Sequence, residues 1–178
     1  MSLEENLKSM ERSREAYWLR HPNTSPFKLR WRALTVRHSF HVLPGESILE
    51  LGAGSGLWTE HLSTVLRGES PITAAVFNDE FAESSPVIPN VKFTKINSLH
   101  NDLPAESFDY VVGTAILCHD QFPQNLAALY RLLKPGGRFF FSNPTTGTRR
   151  CSSRTMSARS VAGPGWPIVK SGCADTSL

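Results

Sequence analysis

The chain has 178 residues, a formal net charge of +3 and three cysteines, a length that supports one domain with a full hydrophobic core. No apolar run approaches the roughly 18 residues that a membrane span needs, and no secretory apolar region follows Met1. Cys118, Cys151 and Cys173 are odd in number and far apart, which excludes a disulfide framework or a metal knuckle and points to a reducing, cytoplasmic setting.

Charge is unevenly spread. Residues 1–40 hold eight Lys/Arg against four Asp/Glu, residues 41–144 six against eleven, and residues 145–178 five against one. An acidic body with basic ends argues against a nucleic-acid-binding face on the core. Ser2 to Leu19 reads as an amphipathic helix, with a capping box at Ser2 and Glu5 and with Leu3, Leu7, Met10 and Tyr17 near helical spacing. Two prolines in His21–Pro26 break it. A second helix is predicted from Phe27 to about Val42, burying Trp31, Leu34 and Phe40 and turning its basic residues to water.

After the turn Pro44-Gly45-Glu46 comes the stretch Ile48-Leu49-Glu50-Leu51-Gly52-Ala53-Gly54-Ser55-Gly56. Apolar residues with one acid run into three alternating glycines, and helical spacing resumes at Leu57. This predicts a buried parallel strand over Ser47–Leu51, a tight turn, and a helix over Gly56–Leu66. Glycine permits positive φ and close approach of a ligand. The helix start aims free N–H groups and its positive dipole end at the same spot. A dinucleotide turn wants G-x-G-x-x-G/A, but Leu57 stands where its last small residue belongs. Glu50 also suits a cationic ligand better than a pyrophosphate.

The run Glu50 to Gly56 resembles motif I of the class I S-adenosylmethionine-dependent methyltransferases. The resemblance implies S-adenosyl-L-methionine as cofactor. It sets Gly52, Ala53, Gly54, Ser55 and Gly56 around the methionine part, and Glu50 near the ammonium group, directly or through water. The second strand is predicted over Ile72–Phe77. The family carries an acid at its end for the two ribose hydroxyls, since a carboxylate can accept from two O–H donors. Here Asn78 and then Asp79 stand there; Asp79 is the choice and Asn78 the close second, the alternative being that both only cap the short helix that follows.

Pro86 and Pro89 bracket the approach to a third strand, Val91–Ile96. Asn97 and Ser98 then occupy the place where the family recognises adenine, and the Asn97 amide oxygen can accept from the adenine amino group. Asp102 to Gly113 resembles the family's "LP…SFDxV" segment, in which Asp109 opens the fourth strand and ties loop backbone together. At that strand's carboxyl end, where open α/β sheets bind ligands, come Thr114, assigned to the cofactor, and His119. His119 is the candidate for accepting or orienting the acceptor's proton, or else caps the next helix or bonds a backbone carbonyl. Cys118 reads as a small buried apolar residue.

A helix is predicted over Phe122–Lys134, with Leu126, Leu129, Tyr130 and Leu133 on one face. Lys134-Pro135-Gly136-Gly137 stops it, and Phe139–Ser142 is the fifth strand. The segment resembles the family's "LxRLLKPGGxFxxS". The expected architecture is therefore α/β: a doubly wound, mostly parallel, Rossmann-like sheet of at least five strands with right-handed crossovers. Residues 1–43 form a helical lid, 44–144 the cofactor-binding domain, and 145–178 a disordered or irregular tail without alternation or helical stripe.

In the family such leading helices cover the cofactor and help build the acceptor pocket. That makes Tyr17, Trp18 and Trp31 candidates for lining it, against the plainer alternative that they pack on the sheet. The family's last helix and two strands find no counterpart after Pro144, as in a truncated or rearranged product of a longer enzyme. The fifth strand is then an exposed apolar edge, open to self-association or to irregular cover by the tail. The expected activity is in-line methyl transfer to a small-molecule or lipid-like acceptor, with no metal. The alternative is a catalytically incomplete, cofactor-binding partner protein.

Overall fold

The computed structural model describes residues 3–97, 102–114, 122–142 and 153–157. Its sheet is built outward from β1 (Ile48–Leu51), whose four residues are all buried, as a central parallel strand requires. β2 (Ile72–Val76) and β3 (Val91–Lys95) lie in parallel on one side of β1, and β4 (Phe108–Thr114) and β5 (Leu133–Ser142) in parallel on the other. Ile48 stands opposite Ile72 on β2 and Tyr110 on β4, which brings the carboxyl ends of β1 and β2 together.

The sequence predicts no strand after Pro144, but β6 (Ser153–Ser157) runs antiparallel beside β5, completing the order β3-β2-β1-β4-β5-β6. Arg138–Ser142 of β5 pair with Ser157–Ser153, so the edge expected to mediate self-association is already occupied over that length. A segment with neither alternation nor apolar content becomes a strand here because a partner edge supplies its hydrogen bonds. β5 also begins earlier than expected, at Leu133, and its register with β4 shifts between Phe108 and Tyr110.

α1 (Leu3–Leu19) and α2 (Ser25–Phe40) precede the sheet. α2 starts two residues before the sequence suggests, because Pro26 sits in its first turn, where a missing N–H leaves no bond unmade. Its buried face is Leu29, Ala33, Val36 and Phe40, which packs with Trp58 and Leu62 of α3 (Leu57–Val65) against Ile48, Ile72 and Tyr110. Trp31 lies on the opposite face and is 68% exposed, correcting the prediction that it is buried. α4 (Asp79–Glu83) is a single short turn after β2. Across the sheet, Leu129 and Leu132 of α5 (Phe122–Leu132) pack with Leu49, Leu51, Val111 and Phe139, and Leu7 of α1 joins this second core. Each such fully buried aliphatic side chain contributes about 1.5–3 kcal/mol.

Asp109 fastens the far end of the sheet. Its Oδ2 accepts from Ser47 N at 2.8 Å, Ser47 Oγ at 2.7 Å and Lys134 Nζ at 2.7 Å, joining the approach to β1 to β4 and β5. Partial burial opposes the charge, but the bonds from Lys134 and Ser47 outweigh it and hold the carboxyl below its ordinary range. The bonds therefore stabilise the fold above the unfolded-state pKa, and their contribution is lost as pH falls through the depressed one. Asp109→Ala is expected to cost about 2–3 kcal/mol in urea unfolding at pH 7, and the deficit should shrink in acid.

Candidate functional site at the glycine turn

The turn after β1 is held on the left-handed side of backbone space at Gly52 (φ +67°), Gly54 (φ +60°) and Gly56 (φ +85°). β-branched or bulky side chains are excluded from such angles. Ala53 N–H reaches the Ala75 carbonyl at 2.9 Å, which locks the turn to β2, and the Gly56 carbonyl accepts from Glu60 N to begin α3. Gly52, Ala53, Gly54 and Gly56 are buried and Ser55 is half-buried. At the foot of the turn Glu50 is 1% exposed, and neither of its carboxylate oxygens has a hydrogen-bond partner among the described residues. Thr59 Oγ1 on α3 faces it, yet makes no bond of ordinary geometry with it and is equally unpartnered. Burial pushes the Glu50 carboxyl up to about 7, against the opposing pull of Thr59 and of the Arg14 guanidinium.

Above the turn lies α1, whose charged residues are assigned no role in the site from the sequence. α1 crosses it with three charged side chains pointing inward. Glu11, fully buried, accepts from Gly54 N at 3.1 Å through Oε1. Its Oε2 accepts from Phe77 N at 3.1 Å, Asn78 N at 3.0 Å and Asn78 Nδ2 at 2.7 Å. Ser55 Oγ donates to Glu15 Oε1, and Arg14 Nη2 donates to the Gly52 carbonyl. Burial lowers the Arg14 guanidinium from its usual range while Glu50, Glu11 and Glu15 pull it back up. One signal for this arrangement exists in the sequence: Leu7, Glu11, Glu15 and Trp18 recur at helical spacing, so the charges continue the buried apolar stripe.

The other predicted site residues separate. Asn78 is buried at the end of β2, its Nδ2 also donating to the Lys8 carbonyl at 3.1 Å and its Oδ1 unpartnered among the described residues. Asp79, preferred from the sequence, is exposed and ion-paired with Lys95 on β3. Asn78, at the cap position of α4, makes no side-chain cap bond. Asn97 is exposed, and its N–H donates to Asp102 Oδ2 at 2.6 Å. Thr114 ends β4. Ser98, Cys118 and His119 lie outside the described residues. Trp18 and Trp58 are buried beside the turn and, with Arg14, Glu15 and Ala53, line a gap of only about 10 Å³. No metal-binding group of three or more His, Cys, Asp or Glu occurs among the described residues, and no described helix is long and apolar enough to cross a membrane.

A glycine turn between a central parallel strand and a helix, beside an unpartnered acid, is what the family model for a methyltransferase domain matches over residues 23–166. The chain belongs to the methyltransferase domain family. This methyltransferase domain is 28% identical over 125 residues to the ubiquinone/menaquinone biosynthesis C-methyltransferase UbiE of Marinomonas sp., a match covering 64% of this chain and 49% of that one. It is 27% identical over 121 residues to the demethylmenaquinone methyltransferase of Listeria monocytogenes, covering 63% and 51%. The chain thus spans about half the length of the curated relatives it matches. In fold it is similar to a SAM-dependent methyltransferase from Aquifex aeolicus, with a TM-score of 0.54 at 18% identity over 70% of this chain and 75% of that one. It is also similar in fold to a SAM-dependent O-methyltransferase from Thermotoga maritima, with a TM-score of 0.51 at 23% identity over 65% and 44%.

Proposed function

We propose that this chain binds S-adenosylmethionine at the glycine turn and transfers its methyl group to a small, lipid-like acceptor of the quinone type. The observation that carries the proposal is the Glu50 carboxylate, buried at the foot of the turn without a hydrogen-bond partner among the described residues. A buried, unpartnered acid is unfavourable by itself and is relieved by a cation brought to it. The cofactor offers one in its ammonium group. The positive φ angles at Gly52, Gly54 and Gly56 and the bare Gly54 backbone suit the close approach of its methionine part. Asn78, buried and with a free Oδ1 among the described residues, is better placed for the ribose than the ion-paired Asp79. Asn97 and Ser98 are assigned to the adenine, and Thr114 to the same sheet end. The acceptor class rests on the names of the curated relatives, a C-methyltransferase of ubiquinone/menaquinone biosynthesis and a demethylmenaquinone methyltransferase.

When bound, the cofactor supplies an electrophilic methyl group on a sulfonium, which passes to a nucleophilic carbon, oxygen or nitrogen by in-line displacement. The chain's own part is to align the two partners and exclude water, with Trp58 as an apolar wall. His119 is the candidate for taking the proton that a methylated carbon or hydroxyl gives up.

Glu50 must be ionised to hold the ammonium, and it titrates near 7. Cofactor affinity should therefore rise as pH passes upward through 7, and fall again above about 8 as the α-amino group loses its own proton. Calorimetry in two buffers of different ionisation enthalpy should show a proton released on binding at pH 6. Transfer of a radiolabelled methyl group to a demethylated quinol tests the activity. Binding of a nicotinamide dinucleotide in place of S-adenosylhomocysteine would sink the proposal.

A further inference from the structure

We infer that α1 is a self-inhibitory plug: Glu11 and Glu15 occupy the hydrogen-bond donors of the glycine turn, and α1 withdraws before a cofactor can bind there. The inference rests on the cofactor reading above, and three observations carry it.

The first is saturation. A carboxylate has about four acceptor sites, and Glu11 fills them with Gly54 N, Phe77 N, Asn78 N and Asn78 Nδ2. These donors come from the turn and from the end of β2, the two places where the cofactor's own acceptors are expected. Ser55 Oγ is taken in the same way by Glu15. Glu11 thus holds the donors that a ligand's own acceptors would need, and it competes with a ligand for the site.

The second is space. The bare face of Gly54 is already covered: a Cβ built there would stand 2.7 Å from Glu15 Oε2 and 3.3 Å from Arg14 Nη2. The gap beside the turn, lined by Arg14, Glu15, Trp18, Ala53 and Trp58, is about 10 Å³, room for about one water. Small-molecule sites begin at about 300 Å³.

The third is the way α1 is held. Leu7 and Trp18 are its fully buried apolar anchors, with Met10 packed alongside. The inward face between Leu7 and Trp18 is carried by Glu11, Arg14 and Glu15. α2, by contrast, is anchored by four buried residues, Leu29, Ala33, Val36 and Phe40. The short connection His21–Thr24 between the helices is exposed. α1 can therefore swing out while α2 stays on the sheet. A ligand that binds only the open form has its apparent affinity reduced by the open fraction.

The test uses the full chain and S-adenosylhomocysteine. Calorimetry on the wild type and on Glu11→Gln should show the variant binding at least about tenfold more tightly, because an amide turned toward these N–H donors holds α1 less firmly. Hydrogen exchange on the wild type alone provides the second measurement. The ligand should speed exchange over residues 3–19 while slowing it at 52–56. Weaker binding by Glu11→Gln, or an α1 protected or unchanged by the ligand, would make the helix a closing lid or a direct ligand and overturn the plug. Should Glu11→Gln fail to fold, the exchange experiment decides alone. Binding to neither protein would remove the cofactor reading, and the plug with it.

Discussion

Glu50→Gln is expected to make the protein more stable at pH 8 and at the same time unable to hold its cofactor tightly. Glu50 lies on β1 opposite Ala74 and Val112, in the middle of the sheet, where burial raises its pKa from an ordinary 4.5 to about 7. The folded state therefore binds a proton that the unfolded state gives up between these values. Stability falls as pH rises from about 4.5 to about 7, by on the order of 3 kcal/mol, and the whole penalty is present above 7. Glutamine matches the protonated acid in size and polarity. The two proteins should be equally stable near pH 4.5 and part company toward pH 8, with the variant ahead. The charge-assisted bond to the cofactor's ammonium is lost, a decrease in affinity of about ten- to a hundredfold. Urea unfolding at pH 5 and pH 8, with calorimetry at pH 7.5, measures both. Parallel pH profiles for the two proteins would show that Glu50 is not titrating in the fold.

The second large effect belongs to Gly56→Ala. At φ +85° an L-residue is strained by about 1–2 kcal/mol. The new methyl would also stand 2.9 Å from Phe93 Cζ and 3.1 Å from Pro86 Cγ. Phe93 is half-buried on the edge strand β3 and Pro86 is exposed, so both can give, and crowding adds about 1 kcal/mol rather than more. A total of about 2–3 kcal/mol should appear in urea unfolding. Because Gly56 starts α3, any shift there carries the N–H groups of the turn with it, and cofactor affinity should fall alongside stability. A variant within about 0.5 kcal/mol of the wild type, binding normally, would mean that the turn does not need a glycine at this position.

The parallel core was legible because each strand announces itself by a short apolar run closed by Gly, Pro or Asn, and because Glu50-Leu51-Gly52-Ala53-Gly54-Ser55-Gly56 has few other structural uses. Three things were not. Trp31 was taken for core since aromatic residues usually are, but α2 buries the stripe of Leu29, Ala33, Val36 and Phe40, and Trp31 falls between its turns. β6 has no pattern of its own, and it becomes a strand only by pairing with β5, the strand that precedes it in the chain. The inward charges of α1 were hidden by the sound rule that Glu and Arg face water. That rule fails when a backbone turn offers unsatisfied N–H groups, and nothing in a linear chain shows that Gly54 and Phe77 will stand beside Glu11. The ion pair of Asp79 with Lys95 on the neighbouring strand is likewise a contact that no local pattern announces.

The two indoles beside the turn have a spectroscopic consequence. Trp18 and Trp58 are 5% and 6% exposed and flank the same narrow gap, whereas Trp31 is bathed in solvent. Movement of α1 carries Trp18 with it and changes the surroundings of Trp58, so in a Trp166→Phe background, which removes the one indole outside the described residues, it registers as a change in blue-edge emission beside the red-edge emission of Trp31. The chain thus holds an intrinsic optical reporter of whether its own binding turn is covered, readable without any label.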